Sequence, residues 1–256
     1  GLYYKGNLSD IDLSLGIVGT RKASPEAIAI TRRWAARLGE AGVVVTSGLA
    51  IGIDTAAHEG VCDVSKRTLA VLGCGLSKIY PAQNQRLSEK IIELGGALVS
   101  EYPYEFPSFP KNFVERNRIV SGLGRGVLII EAPLKSGALI TANFAVGQNR
   151  EIFVIPGSIS RPNYVGSNAL LRDGARLVTS PQHILEDLGI ASGETDSEED
   201  RLRKVDTAEE KKIISCLQSA GKSMAAEEII ECSGIKSEEV SQALTILLLK
   251  DIITEY

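Results

Sequence analysis

Residues 111–118, KNFVERNR, concentrate side chains that bind anions and flat aromatic ligands. Cations in this segment can neutralise phosphates, and a phenylalanine ring offers a face for stacking a nucleobase, which is typically worth about 1–3 kcal/mol per base. The residues with these groups are Lys111, Phe113, Arg116, Asn117 and Arg118. The pattern predicts a site for single-stranded nucleic acid at the start of a helix.

The same segment also has a structural interpretation. Phe113 would then pack in the core with its apolar neighbours, and Arg116 would pair inside the fold with Glu115 or Glu131. The residue types are compatible with either interpretation.

Four loops rich in glycine and polar residues follow apolar runs of the sequence. Glycine lets backbone N–H groups approach an anion closely, and the start of a following helix adds a favourable dipole. The loops contain Gly19, Arg21 and Lys22; Ser47 and Gly48; Gly73 to Gly75; and Lys135, Ser136 and Gly137. No loop matches the dinucleotide or P-loop glycine signatures. The loops therefore indicate a phosphate-binding edge, the alternative being that the glycines only form tight turns.

The sequence offers no convincing catalytic set. Asp54 and His58 are four residues apart and share a helix face, and we expect a structural hydrogen bond between them rather than an acid/base pair. Glu131 is the other possible general base, without an evident nucleophile nearby. Four scattered cysteines and two histidines predict no metal site. We expect no cofactor and no enzymatic activity.

Near-continuous apolar runs alternate with amphipathic stretches as far as Leu188. Such runs predict strands covered on both faces, and their alternation with helices predicts a parallel sheet. The predicted strands are 15–18, 43–46, 68–72, 97–100, 126–131 and 151–155, and the predicted helices are 25–40, 53–61, 82–94, 112–123 and 138–149. We therefore predict an α/β fold for residues 1–188, with a Rossmann-like, doubly wound, mainly parallel sheet.

The composition changes after Leu188. Residues 189–206 are polar and acidic and predict a linker. Residues 207–256 contain three apolar helix faces and a final predicted strand at 252–256, which indicate a small winged-helix-like domain. The faces are formed by Ile213, Ile214 and Leu217; by Ile229 and Ile230; and by Val240, Leu244, Leu247 and Leu248. Glu238 and Glu239 would repel phosphate, so we expect this domain to contact protein rather than DNA.

The net charge of −4 conceals an uneven distribution. Residues 1–190 contain 20 Lys and Arg against 17 Asp and Glu, whereas residues 191–256 contain 8 against 15. Local clusters of cations matter more for binding a polyanion than the total charge does.

No apolar run approaches the roughly 20 residues that span a bilayer, and the scattered cysteines indicate reduced thiols in the cytoplasm. Because the chain begins at Gly1 and has one methionine, Met224, we expect further residues upstream.

Several ordered motifs resemble the DNA-processing family DprA, also called Smf. They are VGTR (18–21), SGLAIGIDTAAHEG (47–60), AVLGCGLSKIYPAQN (70–84), FVERNRIVSGL (113–123), EAPLKSGALITANFA (131–145), REIFVIPG (150–157) and GSNALLRDGA (166–175). The resemblance covers about residues 2–188, and the C-terminal part resembles the winged-helix-type domain that many members carry.

The resemblance implies a core that forms a homodimer, binds single-stranded DNA, and loads the RecA recombinase onto DNA entering the cell during natural transformation. By position, it assigns the DNA-binding pocket to Gly19, Arg21, Ser47, Gly48, Lys111, Phe113, Arg116, Asn117, Arg118, Lys135, Ser136 and Gly137. Val114 stands where the family commonly has proline, which we expect to alter the start of the helix only slightly.

A second hypothesis is a nucleotide-cleaving, Rossmann-like hydrolase of the lysine-decarboxylase-like type. Glu131 would act as its acid/base, while Arg21 and Arg118 would hold a nucleoside monophosphate. The PGGxGT signature of that family is absent from the sequence.

Overall fold

The computed structural model describes residues 1–9, 11–190, 205, 207–220, 224–249 and 253. The chain divides into two compact units, Gly1–Ser192 and Gly193–Tyr256. Most of the predicted linker, namely 191–204 and 206, lies outside the described residues. None of the helices that the structure describes is long and apolar enough to cross a bilayer.

The first unit contains one sheet of eight strands. They are β1 (Tyr3–Gly6), β2 (Ser14–Gly19), β3 (Val44–Ser47), β4 (Thr68–Leu72), β5 (Ala97–Ser100), β6 (Gly126–Ile130), β7 (Glu151–Val154) and β8 (Arg176–Leu177). All six predicted strands are confirmed. β1 and β8 were not predicted, because one is exposed along its whole length and the other has only two residues.

The strand order, β1-β5-β4-β3-β2-β6-β7-β8, places β2 and β6 side by side within the sheet. All pairs are parallel except β1 with β5. The chain builds outward from β2 to β5 and then returns to β6, so the order reverses between β2 and β6. Ligands of open α/β sheets bind beyond the carboxyl ends of the strands at such a switch point. Here those ends are Gly19 and Ile130, which lie opposite each other.

Helices cover both faces of this sheet. They are α1 (Pro25–Glu40), α2 (Ile53–Asp63), α3 (Gln85–Glu93), α4 (Pro110–Leu123), α5 (Gly137–Gly147), α6 (Val165–Arg172) and α7 (Pro181–Asp187). Successive residues of β6 point to opposite faces: Leu128 packs with Trp34 of α1, and Ile129 packs with Val120 of α4. The mainly parallel, Rossmann-like sheet with helices on both faces is therefore confirmed.

Three helices form the described part of the second unit: α8 (Ala208–Ala220), α9 (Ala226–Ser233) and α10 (Ser237–Leu249). Ile213, Ile229, Val240 and Leu247 form its apolar core, in agreement with the predicted helix faces. Of the predicted strand at 252–256, only Ile253 lies within the described residues. The winged-helix assignment therefore stays a prediction.

Candidate functional site

A cavity of about 180 Å³ opens beyond the carboxyl ends of β2, β3 and β4. Typical small-molecule sites are larger, about 300–1,000 Å³. Its lining is formed by Arg21, Gly48, Ala50, Ile51, Tyr80, Pro81, Gln83, Phe113 and Arg116. Four of these were predicted site residues: Arg21 and Gly48 come from two loops, and Phe113 and Arg116 come from α4.

Two aromatic rings and a guanidinium form one wall of the cavity. The ring centroids of Tyr80 and Phe113 are 5.1 Å apart, and Cζ of Arg21 lies 5.9 Å from the Phe113 centroid. Phe113 is half-buried and belongs to none of the apolar core clusters. A Cβ on Gly73 would lie 2.6 Å from Phe113 Cδ1, so a glycine at this position leaves room for the ring. Phe113 therefore lines the cavity, as the binding interpretation predicts.

Arg116 is buried behind this wall. Its Nη1 donates to the carbonyl oxygens of Gly48, at 2.5 Å, and Val71, and its Nε donates to Asn117 Oδ1 at 3.2 Å. Burial lowers the pKa of the Arg116 guanidinium, while the nearby carboxylate of Asp54 opposes that shift. The structural alternative, a pair with Glu115 or Glu131, is wrong. Arg116 ties α4 to the ends of β3 and β4.

Asp54 fixes the same loop from the other side. Its Oδ2 accepts hydrogen bonds from the backbone N–H groups of Gly48, at 3.1 Å, and Ala50, at 3.4 Å. Burial raises the pKa of Asp54, and the positive charge of Arg116 partly offsets this effect. The Gly48 peptide is thereby held at its N–H by Asp54 and at its carbonyl by Arg116.

The prediction of a hydrogen bond between Asp54 and His58 is wrong, because the two side chains have different partners. His58 Nδ1 lies 2.8 Å from the hydroxyl of Thr68, which donates its own hydrogen to the Val45 carbonyl. Nδ1 must therefore donate, which leaves Nε2 as an acceptor without a described partner. Burial lowers the pKa of His58 to about 3, so this histidine is neutral and structural.

The remaining predicted cations lie at the surface but do not all surround Phe113. Arg21 and Lys22 are exposed after β2, and Lys111 is exposed in the first turn of α4. Arg118 is paired with Glu101. Of the three cations in residues 111–118, Arg116 therefore points inward, Arg118 forms an ion pair at the surface, and Lys111 is exposed.

The loop before α5 is joined to α4 through an amide. Ser136 caps α5 by accepting a hydrogen bond from the N–H of Leu139 at 3.4 Å, and Asn117 Nδ2 donates to the carbonyl of Gly137 at 3.2 Å. Lys135 is exposed beside this helix start. The predicted residues Lys135, Ser136 and Gly137 thus lie in the loop and helix start that follow β6.

Two predicted residues face the sheet rather than the cavity. Ser47 is buried, and its hydroxyl donates to the Ile17 carbonyl at 2.6 Å. A side chain at Gly19 would collide with the carbonyl of Ile130 on the neighbouring strand. Both residues are therefore part of the framework beneath the site.

Glu131, at the end of β6, is fully engaged by protein groups. It accepts hydrogen bonds from the N–H of Ser24 at 2.8 Å, from the Ser24 hydroxyl at 2.7 Å and from Asn163 Nδ2 at 3.2 Å. Ser24 also caps α1 by accepting from the N–H of Ala27. The carboxylate joins three loops at the switch point, and both of its oxygens accept hydrogen bonds from these loops.

Sequence reasoning missed five of the cavity residues: Ala50, Ile51, Tyr80, Pro81 and Gln83. Tyr80 lies within one of the motifs that carry the family resemblance, which is the signal that could have identified it. Within the described residues, no group of three or more His, Cys, Asp and Glu side chains could hold a metal ion.

The doubly wound sheet and the aromatic and cationic cavity at its carboxyl edge define a Rossmann-like α/β protein with a pocket near its switch point. The chain belongs to the family of DNA recombination-mediator protein A, the DprA/Smf family, whose model matches residues 1–189.

Curated relatives share the first unit. Protein Smf of Escherichia coli is 45% identical over 188 residues, which is 73% of this chain and 50% of the relative. DprA of Streptococcus pneumoniae is 41% identical over 186 residues, which is 72% of this chain and 65% of the relative. The chain therefore spans about half to two thirds of the length of these relatives.

Two solved structures share the fold. DprA of Streptococcus pneumoniae superposes with a TM-score of 0.68 at 39% identity, covering 73% of this chain and 65% of that one. DNA processing protein A of Helicobacter pylori gives a TM-score of 0.66 at 31% identity, covering 73% of this chain and 86% of that one. The latter structure concerns the mode in which that protein binds single-stranded DNA.

Proposed function

We propose that this protein binds single-stranded DNA at the cavity and mediates loading of the RecA recombinase onto DNA that enters during natural transformation. The observation that carries the proposal is the half-buried ring of Phe113, which lines a cavity together with Tyr80 and an exposed Arg21. A ring in this position provides a stacking surface for a base, which is a binding mode that tolerates any sequence. The small volume fits part of a strand, such as a single base, better than a dinucleotide cofactor.

Phosphates of the strand would then be neutralised by exposed cations around the cavity. Arg21 and Lys22 lie at the end of β2, Lys111 at the start of α4, and Lys135 beside the start of α5, where Ser136 and Gly137 present a helix N-terminus. Helix starts and cations both favour anions. These residues complete the proposed interface, and Arg116, Asn117, Gly48 and Ser47 hold it in place from within.

We further propose that the protein acts as a cytoplasmic homodimer. Exposed apolar side chains lie in or after three neighbouring strands: Leu134 after β6, Ile159 after β7, with 92% of its surface exposed, and Leu177 in β8. An isologous pair is the default arrangement for an oligomer of a single chain. A dimer would place two pockets on one strand and raise the avidity without new contacts.

The protein acts in this proposal without a catalytic step. Nucleotide cleavage would require a free carboxylate at Glu131, whose oxygens accept three hydrogen bonds from Ser24 and Asn163. The proposed role of the winged-helix-like domain is contact with protein, since Glu238 and Glu239 begin α10.

Fluorescence anisotropy of a labelled oligo-dT strand and of a matched duplex, over a salt series, tests the proposal. We expect tighter binding to the single strand, because the bases of a duplex are not free to stack. R21A and K111A should each weaken binding and reduce the slope of log K against log salt by about 0.7 for each phosphate that is no longer neutralised. F113L, which keeps an apolar side chain but removes the ring, should weaken binding at constant slope.

R33A, which removes an exposed arginine on α1 away from the cavity, is the matched control. It should leave the affinity unchanged. No binding of either DNA form at low salt would refute the proposal, and R21A and K111A proteins that bind like the wild type would refute the assignment of the interface.

A further inference from the structure

The loop between β5 and α4 contains a second group of aromatic side chains, outside the cavity. The rings of Tyr102 and Phe106 are stacked, with centroids 4.9 Å apart and 14° between their planes. Phe106 also makes an edge contact with Phe109, with centroids 5.9 Å apart. We call these three side chains the aromatic row. Phe106 and Phe109 expose 36% and 46% of their surface, so the row presents rings to solvent.

The aromatic row is connected to the cavity by backbone hydrogen bonds. Gly75 N–H donates to the carbonyl of Phe106 at 2.8 Å, and Ser77 N–H donates to that of Tyr104 at 2.9 Å. Gly75 and Ser77 belong to the segment that leads from β4 to the cavity residue Tyr80. The row is therefore anchored to the same loop that forms one side of the cavity.

The row and the cavity also meet along α4. Phe109 is the N-cap residue of this helix, and Phe113 follows one turn later. Residues four apart in a helix are neighbours, with about 5–6 Å between their Cβ atoms. Stacked bases in a strand are spaced by about 3.4 Å. A strand with one base at Phe113 therefore has its next bases within reach of Phe109.

Charges around the row favour a base over a phosphate. Glu105 is exposed in the same loop, Glu115 accepts a hydrogen bond from the Tyr102 hydroxyl at 3.1 Å, and Glu101 is paired with Arg118. These carboxylates repel phosphates, whereas the faces of aromatic rings attract uncharged bases. Lys111 is exposed in the first turn of α4, where it can neutralise a phosphate of a strand that passes this helix start.

We propose that the aromatic row is a second stacking site, which takes the bases of the same single strand where it leaves the cavity. The inference rests on the proposed function and extends it: the strand contacts rings in the cavity and also in the loop that precedes α4. Because stacking releases no counterions, the row contributes affinity that does not depend on salt.

The double variant F106L/F109L tests the proposal, since leucine keeps apolar bulk and removes the aromatic faces. Y104L is the matched control, because Tyr104 is an exposed ring of the same loop that makes no described contact with the row. We expect F106L/F109L to bind oligo-dT about tenfold more weakly than the wild type, at an unchanged salt slope, and Y104L to bind like the wild type. A strand with 2-aminopurine should show stacking-dependent quenching that F106L/F109L diminishes.

The remaining outcomes separate this inference from the proposed function. If F113L weakens binding and F106L/F109L does not, the second stacking site is refuted and the proposed function stands. If the wild type does not bind single strands, both the second stacking site and the proposed function are refuted. A change in the salt slope, or a lower molecular mass of F106L/F109L in light scattering, would also refute the inference, because the row would then act through phosphates or between subunits. F109L alone repeats the test if the double variant does not fold.

Discussion

Replacing Arg116 with methionine tests whether this guanidinium holds the pocket together from behind. Arg116 is 4% exposed and donates to the carbonyls of Gly48 and Val71, and the carboxylate of Asp54 beside it is 7% exposed. Methionine keeps an unbranched side chain and removes both the charge and the donors. Without Arg116 the nearby charge of Asp54 is buried uncompensated, which costs about 3–5 kcal/mol, from a total of about 5–15 kcal/mol for a domain. We therefore expect R116M to fold, with its free energy of unfolding reduced by about 3–5 kcal/mol.

A double-mutant cycle separates the electrostatic contribution from general damage to the core. Without Arg116, the negative charge of Asp54 is buried without compensation, so D54N should cost less stability in R116M than in the wild type. We expect a coupling energy of about 1–3 kcal/mol, measured by urea unfolding with circular dichroism. Effects that add within about 0.5 kcal/mol would show that the two side chains do not interact.

The pH dependence of the free energy of unfolding tests the interaction between Arg116 and Asp54 independently. Burial raises the pKa of Asp54 above its ordinary value of 3.8, and loss of Arg116 should raise this pKa further. A carboxyl whose pKa is raised by folding contributes stability while it is protonated and loses that contribution as the pH rises through its folded pKa. The destabilisation by R116M should therefore be smaller at about pH 4.5 than at about pH 7, and the difference should disappear in the D54N background. A destabilisation that is equal at both pH values would refute the assignment.

Two further predictions concern the histidine and the glycine beside the pocket. Burial lowers the pKa of His58 to about 3, so protonation of this histidine favours the unfolded chain. The free energy of unfolding should therefore be about 2 kcal/mol lower at about pH 5 than above about pH 6.5. H58Q should remove this part of the pH dependence of the urea midpoint, and a variant that keeps it would contradict the structure. G73A places a Cβ 2.6 Å from Phe113 Cδ1 and should displace the ring. Anisotropy should then show oligo-dT binding weakened about tenfold, which corresponds to the stacking energy of about one base. G147A is the control, because a Cβ at Gly147 has open space around it, and this variant should bind like the wild type.

The sequence predicts the strands well because their signal is local. The predicted strand at 68–72 has the bounds of β4, and the prediction of 15–18 differs from β2 by one residue at each end. Each is an apolar run covered on both faces, and that property can be read from a few consecutive residues. β1 carries no such run, because Tyr3–Gly6 is exposed along its length, and so its pairing with β5 could not be predicted.

The direction of a side chain in the site is not a local property. Arg116 and Arg118 are two residues apart and equally cationic, yet one is buried and the other is paired with Glu101 at the surface. The acceptors of Arg116, the carbonyls of Gly48 and Val71, lie 68 and 45 residues earlier in the chain. Only the strand order brings them beneath α4, so the residue types alone could not distinguish the two arginines.

The different roles of the residues along α4 explain how a shallow cavity can offer a fixed stacking surface. Phe113 and Arg116 are three residues apart and lie on neighbouring positions of one helix face. The buried guanidinium fixes the helix against the ends of β3 and β4, while Asp54 fixes the Gly48 loop on which it rests. The ring is thereby oriented before any ligand arrives, and a pre-formed surface loses less entropy on binding than a mobile one. In this proposal the buried guanidinium of Arg116 thus makes the contact by Phe113 more favourable.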